Sequence, residues 1–103
     1  MRLPLLVAGL LLVSGTAFAD SIDGSWCRTG ARLTISGPTI VTPGGTRMSG
    51  QYDRHGFTYV VPAGEPGAGG TVEMRLLGEH DMQSRSAAQG AVQDWRRCDP
   101  ETS

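Results

Sequence analysis

Apolar residues recur at every second position in four separate stretches of the chain. The clearest stretch is 71–77, in which Val72, Met74 and Leu76 alternate with Thr, Glu and Arg. The other three stretches are 32–36, 47–52 and 57–61. A period of two is typical of a strand with one buried face, and no stretch after residue 19 shows a helical apolar stripe. The sequence therefore predicts an all-β domain.

Turn-forming pairs fall between these stretches at hairpin spacing. They include Thr29-Gly30, Gly37-Pro38, Pro43-Gly44-Gly45 and His55-Gly56. Glycine and proline in such positions end strands and reverse the chain. We therefore expect a small antiparallel meander of about seven to eight short strands, forming a closed or flattened barrel.

The amino terminus has the pattern of a cleavable signal peptide. One arginine precedes the almost wholly apolar run 3–13, and small residues at Ala17 and Ala19 match the pattern read by signal peptidase. The run is too short to span a bilayer, which takes roughly 20 residues. We expect cleavage near Ala19, a signal peptide over 1–19 and a single small β-domain over 20–103. The mature protein is predicted to be periplasmic or secreted, without a permanent membrane anchor.

The charge of the predicted mature domain is nearly balanced. Residues 20–103 contain eight arginines, no lysine and ten acidic residues. Nucleic-acid binding requires a basic patch, and this composition offers none. We expect no nucleic-acid partner and no cofactor.

Two cysteines, Cys27 and Cys98, lie near the two ends of the predicted domain. Export would place them in an oxidising compartment, where disulfides persist. A bridge between them would close a loop of about 72 residues and stabilise the fold by about 4 kcal/mol. The alternatives are a two-cysteine metal site or two free thiols, but the wide spacing favours the bridge.

Such a bridge would hold the first and last strands close together, because bonded cysteines keep their Cα atoms within about 7 Å. That arrangement closes a barrel and removes its exposed edges. We expect Trp26 to plug one end, with Arg96 or Arg97 stacked on its ring. With so few residues per strand, side chains are expected to fill the interior and leave little room for a ligand.

Three resemblances follow from short motifs. Gly24-Ser25-Trp26, with an arginine near the last strand, resembles the calycin superfamily, which includes the lipocalins, and implies a lipocalin-like barrel. Ser49-Gly50-Gln51-Tyr52 is similar to, but one residue shorter than, a signature of periplasmic C-type lysozyme inhibitors. That resemblance implies that Ser49 matches a serine that helps to block a lysozyme active site. Trp26-Cys27 and Trp95-Arg96-Arg97-Cys98 resemble the two ends of short exported bacterial proteins of unknown function.

Two clusters of potential metal ligands stand at predicted strand ends. One holds Asp53 and His55, and the other holds Glu79 and His80. Two imidazoles with neighbouring carboxylates suit Zn²⁺ or Cu²⁺ if the fold brings the clusters together. The alternative is that these side chains are simply solvated at turns.

Two further features are candidates for binding. The glycine-rich loop 62–70 is longer than a hairpin needs, and Glu65 is its one charged residue. Long loops in small domains are often binding elements, although a passive connection is the alternative. Trp95 and Tyr52 offer stacking surfaces if they face outward, whereas inward placement would make them core residues.

No catalytic motif is present. A Ser-His-Asp set can be assembled from scattered residues, but no nucleophile-elbow sequence supports it, so we predict that the protein is not an enzyme. We interpret the chain as an exported, non-enzymatic β-barrel-like domain that binds a protein, a glycan or an envelope component. Its candidate contacts are Ser49, Tyr52, Glu65 and Trp95. The alternatives are an inhibitor of a lysozyme-like hydrolase and a periplasmic metal-binding protein that uses His55 and His80.

Overall fold

The computed structural model of the protein describes residues 21–86 and 90–98, so the predicted signal peptide lies outside the described residues. These residues form nine strands and no helix. The strands are β1 (Gly24–Arg28), β2 (Ala31–Ser36), β3 (Thr39–Val41), β4 (Arg47–Ser49), β5 (Gln51–Asp53), β6 (Gly56–Val60), β7 (Thr71–Leu76), β8 (Asp81–Ser86) and β9 (Ala91–Arg97). All their pairings are antiparallel, which confirms the all-β prediction.

The strands form one sheet in the order β4-β3-β2-β1-β9-β8-β7-β6-β5. The two outermost strands, β4 and β5, are consecutive in the chain and are separated by Gly50 alone. One bent run of chain therefore pairs with β3 through its first half and with β6 through its second half. This run brings the sheet round into a nearly closed barrel. The sequence pattern treats the run as one strand, which contributes to its prediction of about seven to eight strands where the structure has nine.

Gly50 is required at the bend because the backbone passes very close to β6 there. A Cβ atom at this position would lie 2.4 Å from Cε1 of Phe57 and 2.6 Å from the carbonyl oxygen of Thr58. The Gly50 amide leaves the ladder and donates to the carbonyl of Pro38 at 2.8 Å. A residue without a side chain permits this close approach.

The core packs one face of each long strand against the others inside the barrel. Its buried members include Trp26, Leu33, Ile35, Phe57, Tyr59, Met74, Met82 and Trp95. Their alternation with exposed residues follows the period of two seen in the sequence. The apolar faces predicted for 32–36, 57–61 and 71–77 therefore pack inside the barrel, whereas in 47–52 the prediction is wrong for Tyr52, which is exposed.

The first and last strands meet as predicted. β1 pairs with β9, with Cys27 opposite Arg96, and Cys27 is joined to Cys98 by a disulfide with 5.1 Å between the Cα atoms. The predicted bridge is confirmed, and it excludes the alternatives of a two-cysteine metal site and free thiols. Within residues 21–86 and 90–98, no helix is long and apolar enough to cross a membrane.

Candidate functional site

One end of the barrel, here called the closed end, is covered by the segment that precedes β1. Ile22 in this segment is completely buried, and its amide donates to the carbonyl of Arg54 at 2.8 Å. The indole Nε1 of Trp26, also completely buried, donates to the carbonyl of Ile22 at 2.9 Å. Ile22 and Trp26 thus seal this end from inside, which confirms the plug predicted for Trp26.

Arg97 fixes the covering segment from outside. Its guanidinium lies over the ring of Trp26, with 4.3 Å from Cζ to the ring centroid. It donates to three carbonyls: Nη1 to Asp23 at 2.7 Å, Nη2 to Ser21 at 2.7 Å and Nε to Glu79 at 2.6 Å. Burial lowers the pKa of Arg97, while the charges of Asp23 and Glu79 act in the opposite direction. Arg97 is therefore the arginine of the predicted stack.

Asp23 joins the covering segment to the β2–β3 turn and to β5. Its carboxylate accepts from the Gly37 amide at 2.7 Å, from the Ser21 hydroxyl and from the Tyr52 hydroxyl. Burial raises the pKa of this carboxyl, but the hydrogen bonds from Gly37, Ser21 and Tyr52 together hold it below its usual value of 3.8. The same bond to Asp23 raises the pKa of the Tyr52 hydroxyl. The polar side chains described at the closed end are thus hydrogen-bonded to one another and to the backbone, and their role there is structural.

The other end of the barrel, the open end, contains a cavity of about 360 Å³. Its apolar and aromatic lining comes from strands on several sides of the barrel: Ala31, Leu33, Tyr59, Val61, Val72, Met74, Ala91 and Trp95. The prediction that side chains fill the interior is wrong at this end. The reason is that three of the inward positions of β8 and β9 near the opening, Ser84, Ser86 and Ala91, carry small residues, while Gln93 is the one longer side chain between Ala91 and Trp95.

The glycine-rich loop folds over the opening and is held in place by Glu65. Oε2 of this half-buried carboxylate accepts from the hydroxyl of Thr42 at 2.6 Å and from that of Thr46 at 2.8 Å. Backbone bonds within the loop, including Ala68 to Glu65 at 3.1 Å, form its turns. Burial raises the pKa of the Tyr59 hydroxyl, and the negative charge of Glu65 adds to that rise. Glu65 thus lies where the loop meets the cavity.

Arg28, which the sequence did not single out, contributes a positive charge to the same cavity. It ends β1 opposite Ala31, at a position whose side chain points to the barrel side of the sheet. Its Cζ lies 5.5 Å from the ring centroid of Trp95. Trp95 itself is 3 % exposed and its Nε1 donates to the Ser84 hydroxyl at 3.0 Å. Trp95 is therefore a wall of the cavity and not an outward stacking surface.

The four predicted contact residues do not form one surface. Glu65 and Trp95 both line the cavity at the open end. Tyr52 lies at the opposite, closed end, where its hydroxyl binds Asp23. Ser49 is exposed on β4 and does not line the open-end cavity.

The predicted metal ligands lie at turns near the closed end. His55 is exposed in the turn between β5 and β6, where its amide donates to the Asp53 carboxylate at 3.0 Å. His80 is exposed between β7 and β8, with Nε2 3.6 Å from Oε1 of Glu79. Among the described residues, no group of three His, Cys, Asp or Glu side chains is placed to hold a metal ion. The structure therefore keeps the two clusters as separate pairs.

A second depression, of about 490 Å³, lies along β5–β8. Much of its lining is outward-facing and polar, with Glu73, Arg75, Gln83 and Arg85 among its members. It lies on one stretch of the sheet, whereas the open-end cavity is surrounded by several strands and a loop. Small-molecule sites are usually concave and mostly apolar, so the open-end cavity is the better candidate.

Comparisons of this chain with protein-family models, curated proteins and solved structures found no match.

Proposed function

We propose that this chain is an exported, non-enzymatic binding protein that takes a small molecule into the open end of its barrel. The observation that carries the proposal is the cavity of about 360 Å³, walled by aromatic and aliphatic side chains with a few polar groups at its edge. Small-molecule sites commonly have volumes of about 300–1,000 Å³ and this kind of lining.

The chemistry of the lining supports binding rather than catalysis. Glu65 is the one carboxylate among the described residues of the cavity, and no described histidine or cysteine lines it. His55 and His80 are both exposed at turns near the closed end. General acid–base or nucleophilic catalysis needs such groups within hydrogen-bond reach of one another. The cavity offers apolar contact and fixed polar groups instead.

Export is supported by the amino-terminal signal pattern and by the disulfide. Disulfides persist in oxidising compartments and are rare in the cytosol. The Cys27–Cys98 bridge joins β1 to the residue after β9, so it holds together the two strands whose meeting keeps the barrel closed. Such a covalent link stabilises a small domain outside the cytoplasm.

The test is an NMR titration with phenethyl alcohol, a small probe with an aromatic body and a hydroxyl. We expect saturable shifts at the Trp95 indole and the Met74 methyl, which line the cavity. The indole of Trp26 at the closed end is expected to be unchanged. Shifts confined to the outer face of β5–β8, or no binding of this probe and of its amine, acid and amino-acid analogues up to their solubility limits, would contradict the proposal.

A matched pair of variants locates the site. Val72 is half-buried and lines the cavity, so Val72→Phe is expected to fill part of it and weaken binding about tenfold or more. Val60 on the neighbouring strand β6 is 52 % exposed, and Val60→Phe is expected to bind like the wild type. Equal binding by the two variants would place the probe elsewhere.

A further inference from the structure

Two side chains of opposite charge line the open-end cavity. Arg28 and Glu65 are the only charged residues among its described lining. No described residue forms an ion pair with either of them. The two charges therefore line the same opening, but neither is in a salt bridge with a described residue.

Glu65 presents a fixed carboxylate with unused accepting capacity. The hydroxyls of Thr42 and Thr46 both bind Oε2, whereas Oε1 accepts no hydrogen bond from a described residue. A half-buried carboxylate with a free oxygen is favourably paired with a cationic donor such as an ammonium group. By binding Oε2, the two threonines hold the whole carboxylate in place before any ligand arrives, which lowers the entropic cost of binding.

Arg28 presents the complementary group. Its guanidinium is near the ring of Trp95, with 5.5 Å from Cζ to the centroid, and it is exposed at the edge of the opening. Contact with an aromatic ring leaves the in-plane N–H donors of a guanidinium available. These donors can form two parallel hydrogen bonds with a carboxylate. Arg28 can therefore take a ligand carboxylate while it stays near Trp95.

We propose, on the basis of the binding function above, that the ligand is an amphipathic zwitterion. It has an apolar or aromatic body with one ammonium and one carboxylate, as in an amino acid with a large apolar side chain. The ammonium pairs with Glu65, the carboxylate pairs with Arg28, and the body lies against apolar residues deeper in the cavity, Leu33, Met74 and Trp95.

The other ligand classes each leave a charge unpaired. An apolar amine would satisfy Glu65 but bring a second positive charge to Arg28, and an apolar acid would do the reverse. An uncharged ligand would pair with neither group and would desolvate the half-buried carboxylate of Glu65 without compensation, which is costly for a charge taken out of water. Only a ligand that carries both charges satisfies both groups.

The test uses four probes that share one aromatic body. Phenylalanine carries both charges, and phenethylamine carries the positive charge alone. Hydrocinnamate carries the negative charge alone, and phenethyl alcohol carries neither. In isothermal titration calorimetry of the disulfide-intact protein, we expect phenylalanine to bind at least about tenfold more tightly than each of the other three probes.

Two charge-removing variants assign the contacts. In Arg28→Gln, phenylalanine is expected to fall to the affinity of phenethylamine, because its carboxylate has lost its partner. In Glu65→Gln, phenylalanine is expected to fall to the affinity of hydrocinnamate, while the amide oxygen still accepts from a threonine hydroxyl. The control is Arg75→Gln, which removes an exposed arginine outside this cavity and is expected to leave all four affinities unchanged.

A second variant, which moves the carboxylate without removing its charge, tests the same contact if the Glu65→Gln protein does not fold. A Cβ atom on Gly44 would lie 2.3 Å from Cδ of Glu65, so Gly44→Ala is expected to displace that side chain and weaken phenylalanine binding. Gly78→Ala is the matched control, because a Cβ there meets nothing within 4 Å.

The outcomes separate the two proposals. Equal affinities for the four probes, or tightest binding of the amine, the acid or the alcohol, would overturn the zwitterion while leaving the cavity as a binding site. If none of the four probes binds, both proposals fail. Preferential binding of phenylalanine that is unchanged in Arg28→Gln and Glu65→Gln would also overturn the assignment.

Discussion

The guanidinium of Arg97 lies 4.3 Å from the ring centroid of Trp26, as measured from its Cζ atom. Arg97 ends the last strand and Trp26 is in the first, so this contact joins the two strands at the closed end of the barrel. The same guanidinium donates to three carbonyls that come from the segment before β1 and the turn before β8. One side chain thus holds together the parts of the chain that close the barrel.

Shortening this side chain is expected to destabilise the fold. Arg97→Lys removes at least two of the three donated bonds and the flat stacking group, so the free energy of unfolding should fall by about 3 kcal/mol. Urea unfolding with the disulfide intact measures this loss. Arg96→Lys is the matched control, because Arg96 is exposed and makes one ion pair with Asp81 at 3.6 Å. A loss as small as that of Arg96→Lys, under about 1 kcal/mol, would contradict the role assigned to Arg97.

The carboxylate of Asp23 is expected to make stability sensitive to acid. Its pKa in the folded protein lies below the ordinary value of 3.8, so its ionised form contributes stability that is present above that value. This contribution is lost as the pH falls from 3.8 through the lower folded-state pKa. The Asp23→Asn variant should therefore show a flatter decline in unfolding free energy below about pH 4 than the wild type. Asp94→Asn, at an exposed site on β9, should retain the wild-type decline.

Gly50 is expected to be the least replaceable glycine at the barrel closure. Gly50→Ala places a methyl group against both the ring of Phe57 and the backbone of Thr58, and backbone cannot rotate away. The variant should lose about 2 kcal/mol or more of unfolding free energy. Gly78→Ala meets open space and should change stability by less than about 0.5 kcal/mol. Similar thermal midpoints for the two variants would show that the close approach at Gly50 carries no constraint.

Reduction of the disulfide is expected to destabilise the whole domain. The bridge joins residues 71 apart in sequence, and a loop of that size corresponds to about 4 kcal/mol on the chain-entropy model. The chain contains two cysteines and both are in this bridge, so a reductant has no other cysteine to act on. Urea unfolding with and without reductant measures the difference. A loss below about 1 kcal/mol would mean that the strand contacts alone hold the ends together.

The local parts of the fold were readable from the sequence. Alternation at Val72, Met74 and Leu76 marks β7 with its inward face, and Gly-rich pairs mark the turns, because both signals depend on neighbouring residues only. The Cys27–Cys98 bridge and the arginine stacked on Trp26 were also predicted, because each end of the domain carries one cysteine and a tryptophan at one end has an arginine available at the other. The division of 47–53 into two strands was missed because it depends on the approach of Gly50 to β6.

The candidate site was only half predicted. Glu65 and Trp95 were chosen from the sequence and both line the cavity, but Arg28, Thr42 and Thr46 were not. Their meeting depends on which strand and loop ends share one end of the barrel, and alternation along a strand does not specify that. A signal for the cavity itself is present in the sequence: Ser84, Ser86 and Ala91, three of the inward positions of β8 and β9 near the opening, are small. This signal is weak because 81–86 carries serines where a buried strand usually carries large apolar residues, so its alternation is hard to detect.

The most direct test of the account is native mass spectrometry of the protein recovered from the envelope or medium of its own host. We expect a polypeptide that begins after the predicted signal peptide and carries one noncovalently bound small molecule. That added mass should persist in Val60→Phe and disappear in Val72→Phe, which narrows the cavity. The bare polypeptide alone in all three preparations, or an added mass that Val72→Phe retains, would contradict a ligand site at the open end.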